Sequence, residues 1–89
     1  MRLPASEHLI LQLLVAQGPC YGLELVAASR GTLKRGGVYV TLGRMEEKGL
    51  VRSAKGENGR RHYRPTALGE RALAAARVFS GQIRLGART

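Results

Sequence analysis

The sequence predicts a mainly α-helical protein with one small β-hairpin, folded as a single domain. Apolar residues recur at intervals of three and four in four separate segments, which is the spacing of amphipathic helices. Two short strand-like segments flank an Asn58-Gly59 turn, and this dipeptide supplies the positive φ angles that tight hairpins need. A chain of 89 residues is long enough for one small hydrophobic core. The predicted order is helix, short helix, helix, hairpin and helix.

The first helix is predicted between an N-cap at Ser6 and a stop at Gly18-Pro19. Its apolar stripe covers more than half of its circumference, so we expect it to be covered by its own domain and by a second partner. A short second helix follows from about Tyr21 or Gly22 to Ser29. The core-facing residues of this second helix are predicted to be Leu23, Val26 and Ala27.

Helical spacing over residues 36–49 predicts a third helix that stops at Gly49. The hairpin follows at once, with strands at about residues 51–55 and 60–65. A short helix, a linker, a helix and a hairpin in this order make a winged helix-turn-helix, whose recognition helix is the third helix and whose wing is the hairpin. The residues predicted to face the core from the third helix and its end are Val38, Leu42, Met45 and Leu50.

The return strand of the wing is rich in basic residues. Because successive side chains of a strand point to opposite faces, a buried Tyr63 would direct His62 and Arg64 outward, with Arg60 on their side near the tip. Arg61 falls on the Tyr63 face but lies close to the turn, where it can still reach solvent or phosphate. We expect this cluster to form an exposed cationic ridge.

The charge balance points to a polyanionic partner. Fifteen Lys and Arg stand against six Asp and Glu, which gives a formal net charge of +9, and twelve of the fifteen are Arg. Such an excess favours nucleic acid or an anionic membrane. Arg offers a planar fork that suits phosphate and guanine, which favours nucleic acid. The alternative, that scattered arginines are solvated surface, stays open for Arg30, Arg71, Arg77 and Arg84.

A fourth helix is predicted from about Ala67, after an N-cap at Thr66; Gly81 offers a C-terminal stop, and prolongation of the apolar stripe through Ile83 and Leu85 is the alternative. The predicted division is a winged helix-turn-helix at 1–66, a C-terminal dimerisation helix packed on it at 67–85 and a tail at 86–89. A small domain cannot cover the apolar faces of both the first and the fourth helix, so a homodimer is expected; packing of the fourth helix on its own domain alone is the alternative. The predicted dimerisation residues are Leu11, Val15, Leu68, Ala72, Ala75 and Phe79.

Several classes of site have no support in the sequence. No apolar run is long enough for a membrane span and the N-terminus lacks the apolar segment of a signal peptide, so a cytoplasmic protein is expected. His8 and His62 lack the neighbouring ligands of a metal site, and no nucleophile-base pair, paired carboxylates or phosphate-binding loop emerges. We therefore expect no metal, no cofactor and no enzymatic activity.

Cys20 is the single cysteine, which excludes an internal disulfide and a cysteine-based zinc site. Its place near the start of the second helix allows a redox sensor, because a helix dipole can lower the pKa of a thiol. We interpret it instead as a small buried apolar residue.

Four motifs together resemble the PadR family of bacterial transcriptional regulators, over about residues 6–76. The resemblance implies a homodimeric repressor that binds DNA through the third helix and the wing and dimerises through the last helix. The chain departs from the family pattern at Gly37, Val40 and Gly43, where members usually have Thr, Pro and a polar residue. The motifs that carry the resemblance are Tyr21-Gly22-Leu23-Glu24-Leu25, Gly37-Val38-Tyr39 with Leu42, Arg44 and Met45, Glu46-Glu47-Lys48-Gly49-Leu50-Val51 and Arg60-Arg61-His62-Tyr63-Arg64-Pro65-Thr66-Ala67-Leu68-Gly69.

The leading hypothesis is a sequence-specific DNA-binding repressor that recognises double-stranded DNA as an inverted repeat; a protein-interaction or RNA-binding adaptor is the alternative. A small-molecule inducer is possible in principle, and the sequence does not identify one. Gly43 either permits close approach to DNA or is an ordinary surface glycine. Val40, Thr41 and Arg44 are the candidates for base contacts. The full set of predicted DNA-binding residues is Lys34, Arg35, Gly37, Tyr39, Val40, Thr41, Arg44, Arg60, Arg61, His62 and Arg64.

Overall fold

The protein folds as a winged helix-turn-helix with an added C-terminal helix. This computed structural model describes residues 3–56 and 58–88, and side chains up to residue 77. Within these residues, helices and a three-stranded antiparallel sheet of order β1-β3-β2 surround one core. The elements are α1 (Ala5–Gln17), β1 (Cys20–Tyr21), α2 (Gly22–Ala28), α3 (Arg35–Glu47), β2 (Val51–Lys55), β3 (Arg61–Pro65) and α4 (Ala67–Arg88).

The core forms where α1, α3, the sheet and the start of α4 meet. The four residues predicted to face inward from α3 and its end are each at most 1% exposed, which confirms the helical period of that segment. Burying one such aliphatic side chain contributes about 1.5–3 kcal/mol to stability. The residues of the core with the largest fully buried side chains are Ile10, Leu11, Leu14, Leu25, Val38, Leu42, Met45, Leu50 and Leu73.

The first turn of α1 differs from the prediction. The helix begins at Ala5, and Pro4 rather than Ser6 takes the N-cap position; the Pro4 carbonyl accepts the His8 N–H at 3.0 Å. Glu7 is therefore in the first turn and is buried, and its carboxylate accepts the Lys48 ammonium at 2.8 Å. This ion pair joins the start of α1 to the end of α3.

The predicted inward face of α2 is wrong for two of its three residues. Val26 is half-buried and packs against the core as predicted, whereas Leu23 is 41% exposed, Ala27 is exposed, and the fully buried residue is Leu25. The helix starts at Gly22, which is also buried, and the spacing of three from Gly22 to Leu25 sets the inward direction. A helix of only seven residues carries too little periodicity to fix its orientation from the sequence.

The hairpin is confirmed, and a strand that the sequence did not indicate joins it. Strand β2 pairs with β3 in the register Ser53 to Tyr63, and Gly59 supplies the positive φ, 74°, of the turn. The short strand β1 pairs with the other edge of β3, so that Tyr21 lies opposite His62. Strand β3 is thus the central strand of the sheet.

Helix α4 begins on a close junction with the end of α3. Thr66 caps it as predicted: its hydroxyl accepts the Gly69 N–H at 3.0 Å and donates to the Gly49 carbonyl. The Leu50 carbonyl accepts the Thr66 N–H at 3.0 Å. Gly69 packs against this same carbonyl. The junction fixes the direction in which α4 leaves the domain.

Part of the predicted dimerisation stripe packs within the chain. Leu11 is 0% exposed and Ala72 is packed against the core, because α1 and the first turns of α4 contact each other. Val15, Leu68 and Ala75 are exposed. Phe79, the last member of the stripe, lies outside the residues whose side chains the structure describes.

The bounds of α4 also differ from the prediction. The helix runs past Gly81 and past residue 85 to Arg88. A single internal glycine costs about 1 kcal/mol relative to alanine, which does not by itself end a helix. Among the residues that the structure describes, no helix combines the length and apolarity needed to cross a membrane.

Candidate nucleic-acid interface

The outer face of α3 exposes helix backbone at three glycines, with the Val40 side chain among them. Gly36, Gly37 and Gly43 are exposed, and a Cβ added at any of them would meet no atom within 4 Å. Val40 is 56% exposed and stands between these glycines. Within the part of the chain that the structure describes, no contact accounts for three glycines in this helix.

Polar side chains lie on that face and at the start of α3. Arg44, four residues after Val40, is exposed on the same side of the helix in the last turn, and Lys34 and Arg35 are exposed at its start. Thr41 is half-buried and its hydroxyl donates to the Gly37 carbonyl at 3.1 Å, so its donor is already satisfied. Of the three residues predicted to meet bases, Val40 and Arg44 present free side-chain surface.

Tyr39 lies across the helix-turn-helix rather than pointing away from it. It is 48% exposed, and a Cβ at Gly22 would lie 2.6 Å from its Cε1. Gly22 therefore provides the space that lets the ring rest on the start of α2. The phenol is positioned by two elements and keeps half of its surface open.

Tyr21 organises the near side of the wing. The Arg60 guanidinium lies 5.6 Å from the centre of the Tyr21 ring, within cation–π range, and the His62 ring packs edge-on to Tyr21 at 4.7 Å. His62 is half-buried because Tyr21 packs on its ring, so it is less exposed than predicted. No sequence pattern indicated β1, and the pairing of Tyr21 with His62 places an aromatic ring over the face that we expected to be open.

Arg60 and Arg64 line different concavities. Arg60 and Arg61 line a cleft with Tyr39, while Arg64 lies near the other end of β3 in a separate concavity with Arg52, Pro65, Thr66 and Ala67. Both arginines are exposed. The cations of the wing thus face two neighbouring surfaces.

Arg61 belongs to a hydrogen-bonded chain that reaches α3. Its Nη1 donates to Ser53 Oγ at 3.1 Å, and that hydroxyl donates to Glu46 Oε2 at 2.8 Å. The backbone N–H of Ser53 donates to the same carboxylate oxygen at 3.2 Å. The contacts of Tyr21, Glu46 and Ser53 could not be predicted from the sequence, because they form between strands and between a helix and a strand.

The cleft between α2, α3 and the wing has a volume of about 270 Å³. At its floor Tyr63 is 7% exposed, and burial, followed by the charge of Glu46, raises the pKa of its phenol. The phenol therefore stays neutral at physiological pH. Three aromatic rings and two guanidinium groups contribute to the lining of the cleft. The lining residues are Tyr21, Gly22, Leu23, Tyr39, Arg60, Arg61 and Tyr63.

Cys20 lies in the core at the start of the sheet. It is 5% exposed, and its thiol donates to the Gly18 carbonyl at 3.2 Å. Burial raises the pKa of this thiol, and the nearby Glu24 carboxylate acts in the same direction. The helix dipole does not produce a reactive thiolate here, which supports the interpretation of Cys20 as a buried apolar residue.

We expect Cys20→Ser to bind DNA like the wild-type protein, with or without peroxide, because a buried neutral thiol is a poor nucleophile. Electrophoretic mobility shifts on one duplex under the four conditions measure this. A loss of binding in peroxide by the wild-type protein alone would contradict it and establish redox control through Cys20.

Comparison with known proteins places this arrangement in a family. A family model described as the transcriptional regulator PadR-like family matches residues 10–75. A PadR family transcription regulator from Clostridium difficile is a similar solved structure, with 30% sequence identity, 88% coverage of each chain and a TM-score of 0.76. No match was found among curated protein sequences.

Other solved structures share the fold. A MarR family protein from Bacillus stearothermophilus is 25% identical with a TM-score of 0.78, covering 96% of this chain and 58% of that one. A transcriptional regulator from Clostridium thermocellum is 21% identical with a TM-score of 0.74, covering 98% and 96%. The family match, the recognition helix and the basic wing are those of a DNA-binding regulator of transcription. This chain therefore belongs to the PadR-like family of transcriptional regulators.

Proposed function

We propose that the protein is a sequence-specific repressor that binds double-stranded DNA as a homodimer. The observation that carries this proposal is the open face of α3 beside an arginine-rich wing. Among the residues that the structure describes, no side chain packs over the three glycines of this face, and Arg60 and Arg61 of the wing line a cleft together with Tyr39 of α3. A helix of this kind fits the major groove while the wing follows the phosphates.

The glycines of α3 support close approach to the bases. Each of Gly36, Gly37 and Gly43 lowers helix stability by about 0.5–1 kcal/mol relative to alanine. The space around them is open, so packing within the chain does not require them. A partner surface that presses against the helix backbone would require them.

The base contacts proposed for this face are few. Val40 can pack against a thymine methyl group, and Arg44 can donate two hydrogen bonds to guanine. Contacts to the DNA backbone are assigned to the remaining cations and to Tyr39, with His62 acting through its packing on Tyr21. The residues proposed for backbone contact are Lys34, Arg35, Tyr39, Arg60, Arg61 and Arg64.

A binding screen against genomic fragments, beginning with the region upstream of the gene itself, tests this proposal. We expect a small set of duplexes to be retained at physiological salt, because specific sites bind about 10³–10⁷ times more tightly than random DNA. Reporter expression from a retained promoter should fall when the protein is present. Retention of all fragments alike, or tighter binding to single-stranded RNA, would support the adaptor function instead.

The proposed dimer uses the parts of α1 and α4 that remain exposed. Val15 is 44% and Leu68 38% exposed, and Ala75 is exposed on the same stripe of α4 as Leu68. A two-fold dimer would bring these faces together and present two recognition helices. Its DNA site would be an inverted repeat with half-sites roughly 34 Å apart, or a multiple of this distance.

We expect sedimentation of the wild-type protein at micromolar concentration to give about twice the chain mass of 9.6 kDa. Ala75→Asp should shift the protein toward the monomer, because the carboxylate would be buried without a partner in the interface. Ala74→Asp is the matched control, since Ala74 is also exposed but lies about 100° around the helix. A wild-type monomer that still binds its duplex tightly would contradict the proposed dimer.

A further inference from the structure

Glu46 joins the recognition helix to the wing. Its Oε2 accepts two hydrogen bonds from one residue of β2, from the Ser53 backbone N–H at 3.2 Å and from the Ser53 hydroxyl at 2.8 Å. The same hydroxyl accepts the Arg61 guanidinium at 3.1 Å. One carboxylate thus connects α3, β2 and a cation of β3.

Neither helix stability nor ion pairing explains this carboxylate. Glu46 lies in the last turn of α3, where the helix dipole disfavours negative charge by about 0.3–1 kcal/mol. Among the residues that the structure describes, it forms no ion pair; Arg61 reaches it only through Ser53. Its hydrogen bonds connect α3 to β2.

A carboxylate beside a DNA-binding surface also repels phosphate. On charge alone, removing Glu46 would strengthen the binding of DNA. Beyond the pairing of β3 with β1 at Tyr63 and His62, however, the wing is a two-stranded ribbon, and its angle to α3 decides whether Arg60 and Arg61 reach the DNA when α3 is in the groove. The two hydrogen bonds to Ser53 constrain that angle.

We propose that Glu46 is a positioning residue that fixes the wing against the recognition helix through Ser53 and directs Arg61 toward the DNA. This inference rests on the proposed DNA-binding function. The effect of Glu46 on binding is therefore opposite in sign to the effect of its charge.

The test compares Glu46→Gln with Glu46→Ala, which remove the same charge. Glutamine keeps a side-chain oxygen that can accept the Ser53 N–H, whereas alanine does not. In the free protein, we expect the Ser53 amide to exchange with deuterium about tenfold faster in Glu46→Ala, the factor for one lost hydrogen bond of about 1.4 kcal/mol. Exchange in Glu46→Gln should stay close to that of the wild-type protein.

DNA binding is then measured on a duplex that the wild-type protein retains from the genomic screen, and on a random duplex of equal length. We expect Glu46→Ala to bind the retained duplex about tenfold more weakly than Glu46→Gln, with the two variants equal on random DNA. Glu47→Ala, at the neighbouring exposed carboxylate, is the control and should bind at least as tightly as the wild-type protein.

Arg61→Ala adds a second readout. Its effect on the retained duplex should be smaller in the Glu46→Ala background than in the wild-type protein, because residues that act through one chain of contacts are not additive. Equal binding by Glu46→Gln and Glu46→Ala, with equal Ser53 exchange, would overturn the inference. If the wild-type protein retains no duplex, the repressor proposal fails, and Ser53 exchange alone decides whether Glu46 holds the wing.

Discussion

Gly69→Ala is expected to lower the free energy of unfolding by about 3 kcal/mol, more than most single substitutions. A Cβ at this position would overlap the Leu50 carbonyl oxygen and lie 3.2 Å from Leu11 Cδ2. The carbonyl is backbone and already accepts the Thr66 N–H, so it cannot move aside without breaking the cap of α4. Urea unfolding at a fixed protein concentration measures the change, and Tm should fall by more than about 10 °C.

Gly43→Ala is the matched control for this prediction. Gly43 is also a helical glycine, but a Cβ there would meet no atom within 4 Å. The substitution should stabilise the protein by about 0.5–1 kcal/mol and, if the α3 face approaches the bases closely, weaken its binding to a retained duplex. Equal stability of Gly69→Ala and the wild-type protein would show that α4 does not pack on the Leu50 carbonyl in solution.

The elements predicted most accurately are those with strong local signals. Helix α3 has a complete apolar period through Val38, Leu42 and Met45, and each of these side chains is buried. The hairpin depends on Asn58-Gly59, whose backbone preference selects the turn without help from distant residues. The sequence could therefore place the recognition helix and the wing next to each other.

The features that the sequence missed depend on contacts between distant segments. Strand β1 has two residues, too few for any alternation, and it exists because β3 offers an open edge. Because β1 pairs with β3, the His62 ring packs against the Tyr21 ring. Glu46 occupies a position that the sequence predicts to be solvent-exposed on its helix. Its hydrogen-bond donor, Ser53, comes close to it only in the folded hairpin.

The burial of Leu11 has the same kind of cause. An apolar stripe over more than half of α1 indicates that two surfaces cover the helix, but it does not say which residue faces which surface. In the fold, α4 covers Leu11 and leaves Val15 exposed. The sequence thus misassigned Leu11, which packs within the chain, and the covering of α1 by a second subunit stays a prediction.

Arg44→Ala is expected to cost about 1–3 kcal/mol on a duplex that the wild-type protein retains, and less on random DNA, because a bidentate contact with guanine distinguishes base pairs. Arg44 is exposed in the last turn of α3. Fluorescence anisotropy with both duplexes over a range of salt concentrations gives the two affinities and their salt dependence.

The wing arginines provide the contrast that separates base recognition from general attraction between a +9 protein and DNA. Arg60→Ala and Arg64→Ala should weaken both duplexes by similar factors and lower the slope of log K against log salt by about one, since each removes one phosphate contact. If Arg44→Ala also lost affinity equally for both duplexes, Arg44 would be assigned to a phosphate contact. Val40 would then remain as the candidate for base contact. Direct base recognition by α3 requires two results. Arg44→Ala must lose affinity only for the retained duplex, and the wing variants must lose affinity equally for both duplexes.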